Sequence, residues 1–555
     1  MLIIRTLCFI CCLPIFAMAQ GLDLQFVNNL GSTNYDHCSG MVLDAEENVY
    51  ITGYFSGDLF GQAAYGASDS YIAKYNSEGV LQWIKIFGGQ NDDRAAHLAI
   101  DTARQLLFIT GFYSDKLFFG SDSLEAIHGD DLLLLCINTT GQWQWGRGFG
   151  THDTQWGNRV AVDAQHNIYL SGFFEDTLQA DGVQLISRGL RNAFILQLDS
   201  SGFCNWGYRM GGPLYDEGSD ICFDEHNNIY MVGSYRDSAD IGPYYFNAVY
   251  TYDCFLASWK PDGQWRWARS FGGGYIDVCQ SICLLPNSQQ LALGGWFFSN
   301  ITFDTIALQA SGEEESFLAV YDTNGQVQWA KRFGDVFAEL IYDLEVDTAE
   351  NIYAVGSFDS IIHFGNEVLL AKHFNQPTDV FVLRFSPTGD YMTGFRAGDV
   401  YNDFGYHIAL ADSSMIYLSG NYQNRTIFEM DTLFALGQYD VFLAKYYFDS
   451  TYHPPPLANI KIADSKTTDL QLYPNPVFNG NCWISADLPP CAWGDQLALN
   501  VFDLNGRLVH QQKMDEQGAR LSCSLDLGGL ASGLYVVRVR GKCFEGMAKM
   551  RLMEP

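Results

Sequence analysis

Asp163-Ala-Gln-His-Asn-Ile-Tyr-Leu-Ser-Gly172 decides the fold, because the chain writes it repeatedly. Close copies are Asp44-Ala-Glu-Glu-Asn-Val-Tyr-Ile-Thr-Gly53, Asp224-Glu-His-Asn-Asn-Ile-Tyr-Met-Val-Gly233 and Asp347-Thr-Ala-Glu-Asn-Ile-Tyr-Ala-Val-Gly356, and degenerate copies end at Gly111, Gly294 and Gly420. A second signature runs in step: Trp83-Ile-Lys-Ile-Phe-Gly88, Trp145-Gly-Arg-Gly-Phe-Gly150, Trp267-Ala-Arg-Ser-Phe-Gly272, Trp329-Ala-Lys-Arg-Phe-Gly334 and a weaker Trp206-Gly-Tyr-Arg-Met-Gly211. A third is an acid or amide before an alternating run, at Asp69, Asp130, Asn192, Asp253, Glu315, Asp379 and Asp440. Self-similarity at a period of about 60 residues marks a stack of one supersecondary unit.

Within the second unit four strands can be drawn: His97–Ile100, Leu107–Tyr113, Asp131–Ile137 and Gln142–Phe149. Asp/Asn turns join the first two, and Gly-closed turns such as Ser77-Glu78-Gly79 join the last two; both use residues that tolerate tight or left-handed backbone. Four antiparallel strands repeated seven times predict a seven-bladed β-propeller. The last unit stops near Phe448 without its outer strand, and the missing piece stands at the other end as Phe26-Val-Asn-Asn-Leu-Gly31. An N-terminal strand completing the last blade would close the ring and remove an open edge.

These units resemble the SBBP-type β-propeller repeats of secreted bacterial proteins, over most of residues 24–448. The resemblance implies a fold and not an activity.

Residues 1–19 read as a signal peptide: Arg5, an apolar run from Leu7 to Phe16, then Ala17-Met-Ala19 before Gln20. The run is too short to span a bilayer. The expected layout is signal peptide 1–19, propeller 20–448, a Pro454-Pro-Pro456-containing linker 449–468, and a C-terminal domain 469–555. Formal charge is −32; from Asp469 onward nine acids meet eight bases, so the excess lies before it. That balance speaks against nucleic acid and anionic membranes as partners. Eleven of the fourteen cysteines follow the signal peptide, without a CxxC pair. Cys482, Cys491, Cys523 and Cys543 are enough for two disulfides in the tail.

The tail opens with Leu472-Tyr473-Pro474-Asn475-Pro476-Val477, continues through a turn at Gly506 and Gly533-Leu-Tyr535, and ends in a segment around Lys549. About seven short strands predict an immunoglobulin-like β-sandwich. This tail resembles the C-terminal sorting domain of the type IX secretion system of Bacteroidetes. The resemblance implies the secretion machinery as a partner, export to the medium or the outer cell surface, and removal of the tail afterwards.

No phosphate loop, zincin helix or nucleophile elbow is present, so no catalytic residue is assigned. His166 and His226 are read as two copies of one exposed turn position, and the repeated tryptophans as packing between units. Asp36, Asp93, Gln155, Asp216, Asp277, Glu339 and Asp403 lie at equivalent places at the start of the first strands. Such a ring would face the channel mouth, beside the long, dissimilar connections between second and third strands, such as Asp115–Asp130 and Asp359–Asp379. Two readings compete: a cation or cationic-ligand site, for which calcium is the cation converging carboxylates suit, or seven local caps on backbone N–H groups. The repetition favours caps, and no cofactor is required. The expected function is a non-catalytic binding or adhesion protein for an extracellular glycan or protein. The alternative is a secreted polysaccharide-active enzyme using two propeller carboxylates.

Overall fold

The repeated Asp-x-x-x-Asn-x-Tyr signature is a hydrogen-bond hub. In the computed structural model, Asp163 Oδ1 accepts the N–H groups of Gln165 and Asn167 at 2.9 and 2.8 Å, and its Oδ2 takes the Asn167 amide at 2.8 Å and the Tyr169 hydroxyl at 3.1 Å. Asp44, Asp224 and Asp347 repeat the arrangement. One side chain thus fixes a hairpin turn and ties it to the following strand.

The structure describes residues 22–448, save 60, 335–337, 360, 365–366, 372–377, 400 and 430. It further describes 471–473, 481–487, 496–502, 508–515, 520–527, 530, 533–540 and 545–552. The signal peptide with Ala17 and Ala19, the linker 449–468 and Pro474, Asn475 and Pro476 lie outside the described residues. The chain divides into two compact units, Met1–Leu457 and Ala458–Pro555. Both are all-β, with no α-helix among the described residues.

The first unit contains seven four-stranded antiparallel sets. Their first strands are Tyr35–Leu43, Asp93–Asp101, Gln155–Val162, Asp216–Phe223, Asp277–Leu285, Glu339–Val346 and Asp403–Leu410. Each pairs with a second strand carrying the signature glycine, then a third, then a fourth. In the last set the fourth place is taken by Leu22–Leu30, antiparallel to Asp431–Phe448 from Leu22↔Phe448 to Leu30↔Val441. The first strands touch one another in succession, and Asp403–Leu410 touches Tyr35–Leu43.

Neighbouring sets are held by one repeated contact. Trp83, Trp145, Trp206, Trp267 and Trp329 on fourth strands lie against the turn glycines Gly141, Gly202, Gly263, Gly325 and Gly389 of the following set. Phe26 of the Leu22–Leu30 strand lies in the same way on Gly79 of the first set, where Asn28 Nδ2 also donates to the Gly79 carbonyl at 2.5 Å. These glycines have φ near +80°, so a side chain there would strain the backbone as well as displace the ring. Apolar clusters span neighbours: Phe271 stacks on Phe303 of the next set at 5.0 Å, and both are buried. Each such ring stabilises the fold by about 1.5–3 kcal/mol through burial.

Three sequence expectations need correction. The connections between second and third strands are not free loops. In the second set the strands lengthen to Leu106–Phe119 and Asp122–Asn138, because alternation continues through buried Leu117 and Phe119. The extension clasps the preceding set, with Phe118 and Gly88 exchanging backbone bonds of 2.8 and 3.1 Å. Met210↔Ile241, Gly272↔Thr302 and Gly334↔His363 are the same clasp elsewhere. Second, Asp131 and not Asp130 holds the repeated third-strand position: it is 2% exposed and accepts the Ile127 N–H at 3.2 Å. Third, His166 and His226 are not equivalent. His166 occupies the left-handed position of its turn with φ +68°, and the matching residue in the next is Asn227 at +55°. The register slipped because two asparagines stand in a row at Asn227-Asn228.

The second unit holds a three-stranded sheet, Gln471–Tyr473, Asn481–Asp487 and Arg520–Asp526, and a four-stranded sheet, Leu508–Asp515, Gln496–Phe502, Gly533–Arg540 and Glu545–Leu552. Leu497, Leu499, Val501, Tyr535, Val537 and Val539 alternate into its interior.

Candidate functional site

The acidic ring is dispersed into corners. Asp36, Asp93, Asp216, Asp277, Glu339 and Asp403, with Gln155, are at most 1% exposed. Five of the acids accept the backbone N–H four residues earlier: Asp36 from Ser32 at 2.6 Å, Asp93 from Gly89 at 2.6 Å, Asp216 from Gly212 at 2.8 Å, Asp277 from Gly273 at 2.7 Å and Asp403 from Asp399 at 2.9 Å. Gln155 does the same with Thr151 at 3.3 Å. Among the described residues no three His, Cys, Asp or Glu side chains gather closely enough to share a metal ion.

What the first strands do bring together lies further along them. A cavity of about 360 Å³ is lined by residues from all seven, among them His37, Arg94, Trp156, Glu217, Gln280, Tyr342 and Tyr406. None of the six ring acids lines it. Its floor is polar. Arg159 Nε lies 2.6 Å from Asp220 Oδ1, and its Nη2 lies 3.8 Å from Asp343 Oδ1. Ser281 Oγ sits 3.1 Å from Asp220 Oδ2 and 3.3 Å from Asp343 Oδ1. One guanidinium therefore joins carboxylates of the fourth and sixth sets. Burial lowers His97 and brings His37 down to about 3, so both imidazoles are neutral.

One wall is aromatic. His37 stacks on Tyr54 at 4.9 Å and 9°, Tyr406 lies 4.9 Å from His37, and Trp156 stacks on Phe112 at 4.2 Å and 5°. Arg94 bridges the two groups, its guanidinium 4.8 Å from the Tyr54 ring and 6.0 Å from Phe112. Asp130 fixes Trp156 by accepting its indole N–H at 3.1 Å. Two further recesses share Arg94. One of about 500 Å³ adds Asn91, Asp92, Asp115 and Asp130; one of about 340 Å³ adds Tyr35 and Ser68. Around Arg94 the two recesses and the adjoining part of the cavity make a trough, with aromatic planes beside carboxylate, amide and guanidinium groups.

Sequence reasoning missed Arg94, Trp156 and Tyr54 because it searched for repeated residues. The signal was the reverse: the residue after each ring acid reads His37, Arg94, Trp156, Glu217, Val278, Leu340, Phe404. Variation at one place on a repeated scaffold marks the surface free to specialise.

Of the sorting residues, Tyr473 ends its strand paired with Trp483, and Tyr535 is buried. Gly533 and Lys549 lie on paired strands, in the registers Gly533↔Leu552 and Val536↔Lys549. Residues 471–550 match the model of the secretion system C-terminal sorting domain. The protein is accordingly secreted or displayed on the outer cell surface. An uncharacterized WD repeat-containing protein of Acanthamoeba polyphaga mimivirus is 25% identical over 235 residues, covering 40% of this chain and 14% of that protein. The chain thus spans about one seventh of that relative's length. A DUF4221-family structure from Bacteroides vulgatus aligns at 10% identity over 78% of this chain and 100% of its own, with a TM-score of 0.34. A tetra-tandem repeat from the extending region of a large adhesion protein aligns at 13% identity, over 82% and 98%, with a TM-score of 0.13.

Proposed function

We propose that the chain is an exported carbohydrate-binding protein, built on a closed seven-bladed propeller of SBBP-type units and delivered by its sorting tail. Closure is supported by the seven first strands lining one cavity and by Phe26 meeting Gly79 as each tryptophan meets its glycine.

The observation that carries the ligand class is the Arg94 trough. A pyranose offers a C–H face that packs on aromatic planes, and hydroxyls that bond to carboxylate, amide and guanidinium groups. Trp156 and Tyr54, both half-buried, provide the first, and Asp92, Asn91, Asp115 and Arg94 the second. No cofactor enters this reading.

The test is a glycan array followed by titration calorimetry on the exported protein. A retained glycan whose affinity falls at least about tenfold in Trp156→Ala, roughly 1.4 kcal/mol, supports it. Binding untouched by Trp156→Ala, or retention of proteins only, overturns it. Turnover of the glycan, lost on changing one trough carboxylate, would replace binding by the enzymatic alternative.

A further inference from the structure

Glu217 stands apart from the other charged residues of the channel. It holds, on the fourth first strand, the place that Trp156 holds on the third, and those two strands touch. It is the one acid among the described residues lining the cavity of about 360 Å³. Its carboxylate makes no hydrogen bond and no ion pair with any described residue, and Arg191 acts on it only from a distance. That guanidinium is itself taken up, 3.7 Å from the Phe173 ring and 4.0 Å from Glu175. A carboxylate drawn out of bulk water without a partner is costly, and folded proteins normally supply one.

The two guanidiniums of the lining are already matched. Arg94 lies 3.4 Å from Asp92, and Arg159 lies 2.6 Å from Asp220 with Asp343 at 3.8 Å. Around the cavity the carboxylates Asp92, Glu217, Asp220 and Asp343 thus face Arg94 and Arg159 alone. His37 and His97 are held neutral by burial, and His407, 3.8 Å from Asp343, serves that carboxylate. Desolvation raises Glu217 above the usual glutamate range, with Arg191 opposing, so a positive charge entering beside it is favoured.

The walls suit a cation as well. Tyr54, Trp156, Tyr342 and Tyr406 line the cavity from the first, third, sixth and seventh sets, and all four are half-buried. Aromatic faces attract cations, and rings here already hold them: Arg94 lies 4.8 Å from Tyr54, and Arg191 lies on Phe173. Ligand sites run from roughly 300 to 1,000 Å³. A cavity of about 360 Å³ is at the small end, and suits one ring-sized group.

We propose that the bound carbohydrate carries a free amine, as an amino sugar of glucosamine type, and that its ammonium group sits against Glu217 inside this cavity. The inference rests on the carbohydrate reading of the Arg94 trough, which adjoins the cavity. A protonated amine gives Glu217 the partner the chain withholds, through a charge-assisted hydrogen bond. An N-acetylated amine is uncharged and does not replace it. A uronic acid is disfavoured for the opposite reason: Arg94 and Arg159 are occupied, and Glu217 repels a second carboxylate. The formal charge of −32 draws an amine-bearing glycan in the same sense at long range.

Titration calorimetry on the exported protein tests this with a glucosamine tetramer, its fully N-acetylated counterpart and an oligouronide of the same length. The free-amine tetramer should bind at least about tenfold more tightly than the acetylated one. That preference should fall to parity in Glu217→Gln, with the melting temperature unchanged; a nonspecific attraction to the acidic surface would survive the substitution. The oligouronide should bind more weakly than either. Equal binding of the two tetramers, binding of neither, or a preference that persists in Glu217→Gln overturns the inference. So does tight binding of the oligouronide to the parent, a result that needs no variant to fold. The two readings fail differently. Glycans held through Trp156 without any preference for the amine sink this inference alone, whereas an array on which no glycan is retained sinks the carbohydrate reading and this one with it.

Discussion

Asp347 shows why one residue type recurs at one place. Its carboxylate serves two backbone N–H groups, the Asn351 amide, the Tyr353 hydroxyl and Arg384, all in a buried setting. Asp44 does similar work, with Lys74 at 3.9 Å in place of the close guanidinium. Asp347→Ala should cost about 3–5 kcal/mol, since it removes one partner of a buried ion pair. Asp44→Ala should cost about 1–3 kcal/mol, the range for buried groups losing an acceptor. Denaturant unfolding of the two variants checks this, and equal losses would show that Arg384 adds nothing. This level was the most legible in the sequence, because an Asx turn leaves a fixed spacing. The corners were not: Asp69 and Asp93 stand about 24 residues apart, and only the fold sets the one against Gly88 and the other against Gly89.

Among elements, the four-strand pattern could be read from alternation, but the reach of the second and third strands could not. Leu117 and Phe119 continue the period-two pattern beyond Asp115, where an exposed left-handed residue with φ +56° looked like the start of a loop. The sequence reading looked for binding beside the connections of these strands, and the recess of about 500 Å³ takes Asp115 and Asp130 from one of them together with Arg94 and Trp156 of first strands. The Leu22–Leu30 strand makes the sharpest prediction at this scale. Deleting it uncovers the edge of Asp431–Phe448 and removes the Phe26–Gly79 contact. The loss should be several kcal/mol against a typical total of roughly 5–15, with aggregation through the bared edge. Melting within a degree or two of the parent, without aggregation in size-exclusion chromatography, would show that the strand is dispensable.

For the whole molecule, the sorting domain at residues 471–550 governs what is found outside the cell. The extracellular form should begin at Gln20 and lack residues from about Asp469. Intact mass spectrometry checks both ends, and a freely secreted product with a full-length tail would contradict the processing. The tail was legible because its motifs are short and ordered. The trough was not, because its residues come from different places in neighbouring sets: Arg94 and Trp156 on first strands, Tyr54, Phe112 and Asp115 on second strands.

The pairing of Leu22–Leu30 with Val441–Phe448 also has a kinetic meaning. The strand made first in this unit must wait for the strand made last, and every set between can form from local contacts before the two meet. Closing so long a loop is entropically costly and comes late. The nascent chain therefore travels with an unsatisfied sticky end, and any factor that shields residues 22–30 until synthesis passes Phe448 should raise the yield of folded protein without altering its final stability.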